Sequence, residues 1–167
     1  MKLLPHPETP QGGVSQIHVS VWCEEGRWHF RYVVDHVDDL SVPVSAKPKR
    51  ADELWKTTCF EAFVAGQDGG YCEFNFSPSG QWAAYAFDAP RQGRRNANAE
   101  VEVWLEGGAD WIAVEASVAA NLGPEAAFNL TAVIEASDGG KSYWALAHPP
   151  GVPDFHDPSC FLGRLPE

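Results

Sequence analysis

The chain has 167 residues, enough for one well-buried domain and too few to require a second. Seven Trp, nine Phe and four Tyr accompany 15 Gly and 13 Pro, while the single Met is the first residue, a bias that suits strands and turns better than a helix bundle. A formal net charge of −11 argues against nucleic acid and anionic membrane as partners, since both are held through basic patches, and here the cations form only short islands at Lys47, Lys49 and Arg50 and at Arg91, Arg94 and Arg95.

The opening MKLLPHPETPQGG carries one Lys and too short an apolar run for a secretory signal, and no later run reaches membrane-spanning length, so a cytoplasmic protein is expected. Two-residue alternation then recurs over 14–22, 27–34, 59–65, 71–76, 82–87, 100–105, 111–118, 128–134 and 143–147. Turn chemistry bounds these runs: Glu24-Glu25-Gly26, Asp68-Gly69-Gly70, Pro78-Ser79-Gly80, Gly107-Gly108 and Asp138-Gly139-Gly140. The expected fold is all-β, an antiparallel β-sandwich of two sheets, immunoglobulin- or jelly-roll-like, in a single domain over 1–167. Residues 35–51 lack a period and form a long connection; 148–158 carry four prolines and are irregular. Cysteines at 23, 59, 72 and 160 show no CxxC spacing and read as buried free thiols.

Parity within the strands separates a core face from a polar one. In 59–65, Phe60, Ala62 and Val64 oppose Cys59, Glu61 and Phe63; in 71–77, Cys72, Phe74 and Phe76 oppose Tyr71, Glu73 and Asn75. In 27–34, Trp28, Phe30, Tyr32 and Val34 leave Arg27, His29 and Arg31 on the other side; in 128–134, Asn129 and Thr131 oppose an apolar set. If the strands bearing Glu61 and Glu73 are neighbours, those carboxylates meet Asn75, Trp55 and an arginine, Arg31 or Arg91. Aromatic plates with carboxylate, amide and guanidinium groups suit a sugar, whose C–H face stacks while its hydroxyls hydrogen-bond. The same pair of carboxylates suits acid–base cleavage of a glycoside, the enzymatic alternative.

The tail HPPGVPDFHDP gathers His148, Asp154, His156 and Asp157, ordinary ligand types for a transition metal but without a zinc spacing. Asp35, Asp38, Asp39 and Asp52 offer oxygens for calcium without the EF-hand consensus. No GxSxG, P-loop or GxGxxG occurs, which favours a binding domain over an enzyme. No cofactor is expected, haem and calcium standing as the alternatives, and the oligomeric state is open.

The strings ELWKTTCFEAFVAG, YCEFNFSPSGQWAAYAFD and PDFHDPSCFLGRL resemble the DOMON-like family, related to family 9 carbohydrate-binding modules, over Leu4 to Leu165. The resemblance implies a sandwich with a ligand site on a concave sheet face. In family 9 modules a sugar lies between two tryptophans, with a Glu six residues after the first; that spacing falls on Trp55 and Glu61. The second plate would come from Phe155, His156 or Trp144. After FD the family continues with an aromatic and an Arg, whereas this chain has Ala89-Pro90-Arg91, keeping the Arg. Broader DOMON relatives bind haem or sugar. The expected site is therefore Trp55 stacking, Glu61, Glu73, Asn75 and Arg91 hydrogen-bonding, and His148, Asp154 and His156 lining one edge of a non-catalytic, sugar-binding pocket.

Overall fold

The structure, a computed structural model, describes residues 1–10 and 13–166. Gln11, Gly12 and Glu167, which the domain assignment and part of the family resemblance include, lie outside the described residues. Among the described residues, twelve strands and two short 3-10 turns make up the regular structure. The strands are β1 (Lys2–Pro5), β2 (Gln16–Glu24), β3 (Arg27–Asp35), β4 (Cys59–Ala65), β5 (Tyr71–Phe76), β6 (Trp82–Phe87), β7 (Arg95–Asn96), β8 (Glu100–Gly107), β9 (Trp111–Ala119), β10 (Ala127–Glu135), β11 (Lys141–Ala145) and β12 (Gly163–Arg164). No helix among the described residues is long and apolar enough to cross a membrane.

All strand pairs are antiparallel, as hairpin-rich alternation demands. The sequence anticipated two sheets; the hydrogen-bonded path is one curled ladder, β7-β6-β5-β4-β10-β11-β1-β2-β3-β9-β8, with β12 added beside β10. The join is β1, which pairs with β2 through Leu3 and Ile17 and with β11 through Leu4 and Ala145. Its alternation is only four residues long, too short to announce a strand, yet Leu3 is fully buried while Leu4 is exposed.

The two halves of the ladder face each other across the main core. Phe30 on β3 stacks against Phe76 on β5 at 5.7 Å between ring centroids, and Tyr32 packs on Phe60 of β4 at 5.1 Å. Each such large side chain, removed from water, contributes roughly 1.5–3 kcal/mol. Tyr32 cannot be buried with an idle hydroxyl, and its Oη donates to the backbone oxygen of Glu61 at 2.7 Å. This bond ties the core of one half to the strand that carries the candidate site.

A second apolar cluster lies on the outer face of β4, β5, β6, β10 and β11: Phe63, Tyr71, Tyr85, Phe87 and Val133, covered by Phe155 and Phe161 of the C-terminal segment. That segment is held down where Gly163 meets Phe128; a Cβ at position 163 would come within 2.1 Å of the Phe128 ring. Leu165 beyond it is buried in the main core, its N–H donating to Ala126 O at 3.0 Å. Of the long connection before β4, Leu40 packs on the main core, while its end reaches the second cluster through Leu54 and through Asp52, which accepts from Tyr85 Oη at 2.5 Å. The connection makes short bridges at Leu40 with Ala136 and Arg50 with Trp82, then ends in a 3-10 turn at Leu54–Lys56.

Candidate functional site

Between the C-terminal cover, the 3-10 turn and the outer face of β4 and β5 is a cavity of about 480 Å³. Strand pairing sets its floor: Glu61 lies opposite Asn75 on β5 and Thr131 on β10, while Phe63 lies opposite Glu73 and Asn129. Glu61 and Glu73 are therefore diagonal neighbours on one face, a spacing at which long side chains interact. Both are almost wholly buried, at 3% and 6% exposure. Phe63, Phe87, Tyr143 and Phe155 wall the cavity; Trp55, 44% exposed, stands at its mouth with Arg91 and Arg94.

Buried carboxyls need donors, and both find neutral ones. Thr131 Oγ1 donates to Glu61 Oε2 at 3.0 Å, and Asn75 Nδ2 donates to Glu73 Oε1 at 2.8 Å. Burial, with the neighbouring Glu73 charge, pushes Glu61 up to about 8, against the smaller opposing pull of Thr131. Glu73 is raised too, by burial, the Asn75 bond and the two arginines holding it back. His156 Nε2 is 3.9 Å from Glu73 Oε2, and its Nδ1 is hydrogen-bonded to Tyr71 Oη at 2.6 Å. Burial, helped by Arg91, lowers this imidazole to about 4, so it is neutral near pH 7.

Arg91 closes one wall. Its backbone N–H donates to Tyr71 Oη at 3.1 Å, and its guanidinium pairs with Asp154 Oδ1 at 2.8 Å. Asp154 Oδ1 also accepts from the His156 N–H at 3.1 Å, so the tail and the turn after β6 are joined through one carboxylate. Arg91 has φ 58°, a left-handed conformation that costs a non-glycine residue about 1–2 kcal/mol. The tight turn from Asp88 to Gln92 imposes it: Gln92 N–H donates to Ala89 O at 2.9 Å.

Of the residues singled out in the sequence, Trp55, Glu61, Glu73, Arg91, Phe155 and His156 line the cavity together. Asn75 is fully buried and braces Glu73 from beside it on the same face, and Asp154 holds Arg91 and His156 without lining the space. His148 sits apart, its Nε2 hydrogen-bonded with Leu4 O at 2.8 Å and its ring against His6. Arg31, the other arginine considered, is bound to Glu115 and Glu106 on the far half of the ladder. Trp144 is corrected as a stacking plate: it faces the main core at 1% exposure, and its neighbour Tyr143 takes the outward position. Among the described residues no group of three or more His, Cys, Asp or Glu is placed to hold a metal; Asp157 instead caps the 3-10 turn Pro158–Cys160 through the Ser159 N–H. All four cysteines are free, Cys59 and Cys160 buried as expected and Cys23 exposed. Arg94, Phe87 and Tyr143 were not singled out by the sequence; only the outward parity of Tyr143 and Phe87 could have marked them.

No protein-family model and no curated protein matches the chain. Among solved structures, a crystal structure of a candidate carbohydrate-binding protein from Bacteroides uniformis is similar in fold, with a TM-score of 0.62. It is 17% identical, and the match covers 90% of this chain and 77% of that one. At that identity the likeness is one of architecture.

Proposed function

We propose that this chain is a non-catalytic carbohydrate-binding domain whose ligand occupies the cavity between Trp55 and the Glu61–Glu73 floor. The observation that carries the reading is the pairing of two buried carboxyls with an aromatic wall: hydroxyls donate to the acids, and the apolar face of a sugar ring lies on Trp55, Phe87 or Phe155. The spacing of Trp55 and Glu61, which resembles that of family 9 modules, and the fold neighbour described as a candidate carbohydrate binder support it. The finer kinship, a DOMON-like two-layer sandwich, belongs to the same proposal. Phe155 takes the place of the second plate. Haem and calcium suit the donor set less well: the one imidazole lining the cavity is engaged by Tyr71 and faces Glu73, and calcium takes six to eight oxygens where the floor offers two carboxyls.

A thermal-shift screen against neutral and amino monosaccharides, short glycans, haem, calcium and zinc tests this, with Trp55→Ala beside the wild type. A sugar at about 100 times its Kd should add roughly 2.7 kcal/mol and several degrees of Tm, and the rise should vanish in Trp55→Ala. A rise with haem or a metal alone, or with nothing, overturns the reading. One observation favours a second reading: Glu61, protonated near neutrality beside a second carboxyl, has the character of a general acid for glycoside cleavage. Turnover of a labelled glycan that stops in Glu61→Gln would establish it.

A further inference from the structure

Among the described residues neither floor carboxyl has a lysine or arginine at contact distance. Glu61 Oε2 and Glu73 Oε1 accept from Thr131 and Asn75, and among the described residues the second oxygen of each makes no hydrogen bond while remaining open to the cavity. The imidazole of His156, 3.9 Å from Glu73, is neutral near pH 7. The two arginines at the mouth act on Glu73 only from a distance and make their contacts elsewhere: Arg91 with Asp154 at 2.8 Å, Arg94 over the Tyr85 ring at 5.0 Å. Tyr32 behind the floor and Cys59, two residues before Glu61 on its own face, are held neutral by burial, and Tyr71 makes its hydrogen bond to His156 rather than to either acid. Two buried acids with no cation in contact retain a proton or take a cation from outside. The aromatic wall suits a cation too, because ring faces attract an ammonium group.

We propose that the cavity selects an amino sugar, whose protonated amine sits between Glu61 and Glu73 while its ring lies against the aromatic wall. The inference rests on the carbohydrate reading and narrows it. An ammonium group offers three donors and reaches both free oxygens with charge-assisted bonds, where a hydroxyl offers one neutral donor. When the ammonium enters, the proton held by the carboxyl pair leaves for solvent, so the unliganded acid becomes a carboxylate paired with the ligand's cation. The same amine in acetylated form has neither the charge nor the donors.

The test is isothermal titration of the wild-type protein near pH 7 with glucosamine, N-acetylglucosamine, glucose and cyclohexylamine, repeated in two buffers of different ionisation enthalpy. Glucosamine is expected to bind at least about tenfold more tightly than glucose or N-acetylglucosamine, with release of up to about one proton. In Glu73→Gln that preference should shrink to about twofold or less, and a preference kept at about tenfold overturns the inference. Glucose or N-acetylglucosamine binding as tightly as glucosamine overturns the inference and leaves the carbohydrate reading intact. Cyclohexylamine binding as tightly as glucosamine overturns the carbohydrate reading and leaves an amine site. Binding of none of the four overturns both.

Discussion

On the outer side of β3, β9 and β8, Arg31 meets Glu115 at 2.9 Å as well as Glu106, Arg27 reaches Glu102 at 3.5 Å and Ser117 at 2.6 Å, and His29 stacks on Trp22. On the outer side of β4 and β5, Glu61 and Glu73 have only neutral donors and stand at the bottom of a cavity. The two faces share one strand pattern, polar residues alternating with core residues. What separates them is the cover: among the described residues nothing comparable lies over the first face, so its charges stay partly hydrated and pair with one another. The C-terminal segment and the 3-10 turn take the second face out of water, and acids kept there with no cation in contact cost stability that an ordinary structural face has no need to spend.

The largest expected contrast lies in the covers themselves. Phe161→Ala removes a side chain that seals the site face and should cost about 3 kcal/mol, whereas Trp104→Ala on the open face should stay within about 0.5 kcal/mol; urea unfolding of both variants decides. Next comes the acid at the floor. The folded protein holds Glu61 protonated well above its unfolded value, so its contribution is fully present below about pH 4.5 and is lost as pH rises through about 8. Glu61→Gln should therefore melt higher than wild type at alkaline pH, by a free energy on the order of 2–3 kcal/mol, and the gain should fade toward pH 5. A gain of equal size at both ends of that range would mean that Glu61 is not titrating. His156 works in the opposite sense: its folded value is lowered, so the stability tied to its neutral form is present above about 6.5 and lost as pH falls toward 4. His156→Gln should flatten that acid limb in a thermal-melt series. The smallest effect belongs to the open face, where Glu115→Gln should cost about 1 kcal/mol or less and most of that should disappear in high salt.

The nine longer strands are legible as alternation because each buries one side and wets or separately covers the other. The four residues of β1 and the two each of β7 and β12 are not, since so short a run has no measurable period. That β1 stitches the ladder into one path could not be read from a local pattern at all, because its pairing depends on Ile17 and Ala145, far along the chain. At the site, parity placed Glu61 and Glu73 on one face. It said nothing of Arg94, which arrives from the turn after β6, or of the tail's fold over Phe63 that turns a polar face into a cavity. Trp144 shows the limit from the other direction: a large aromatic near the tail suggested a stacking plate, and a one-residue difference in parity sends it into the core while Tyr143 faces outward.

The attachment of the tail has a consequence for the timescale on which the cavity opens. β12 contributes two residues of ladder and a glycine fitted to the Phe128 ring, while the floor lies in strands paired on both sides along most of their length. Amide hydrogens of 155–164 should then exchange with deuterium through a local opening of low free energy, and those of β4 only with global unfolding. Such an opening would loosen the wall made by Phe155 and His156 while the floor under it stays folded.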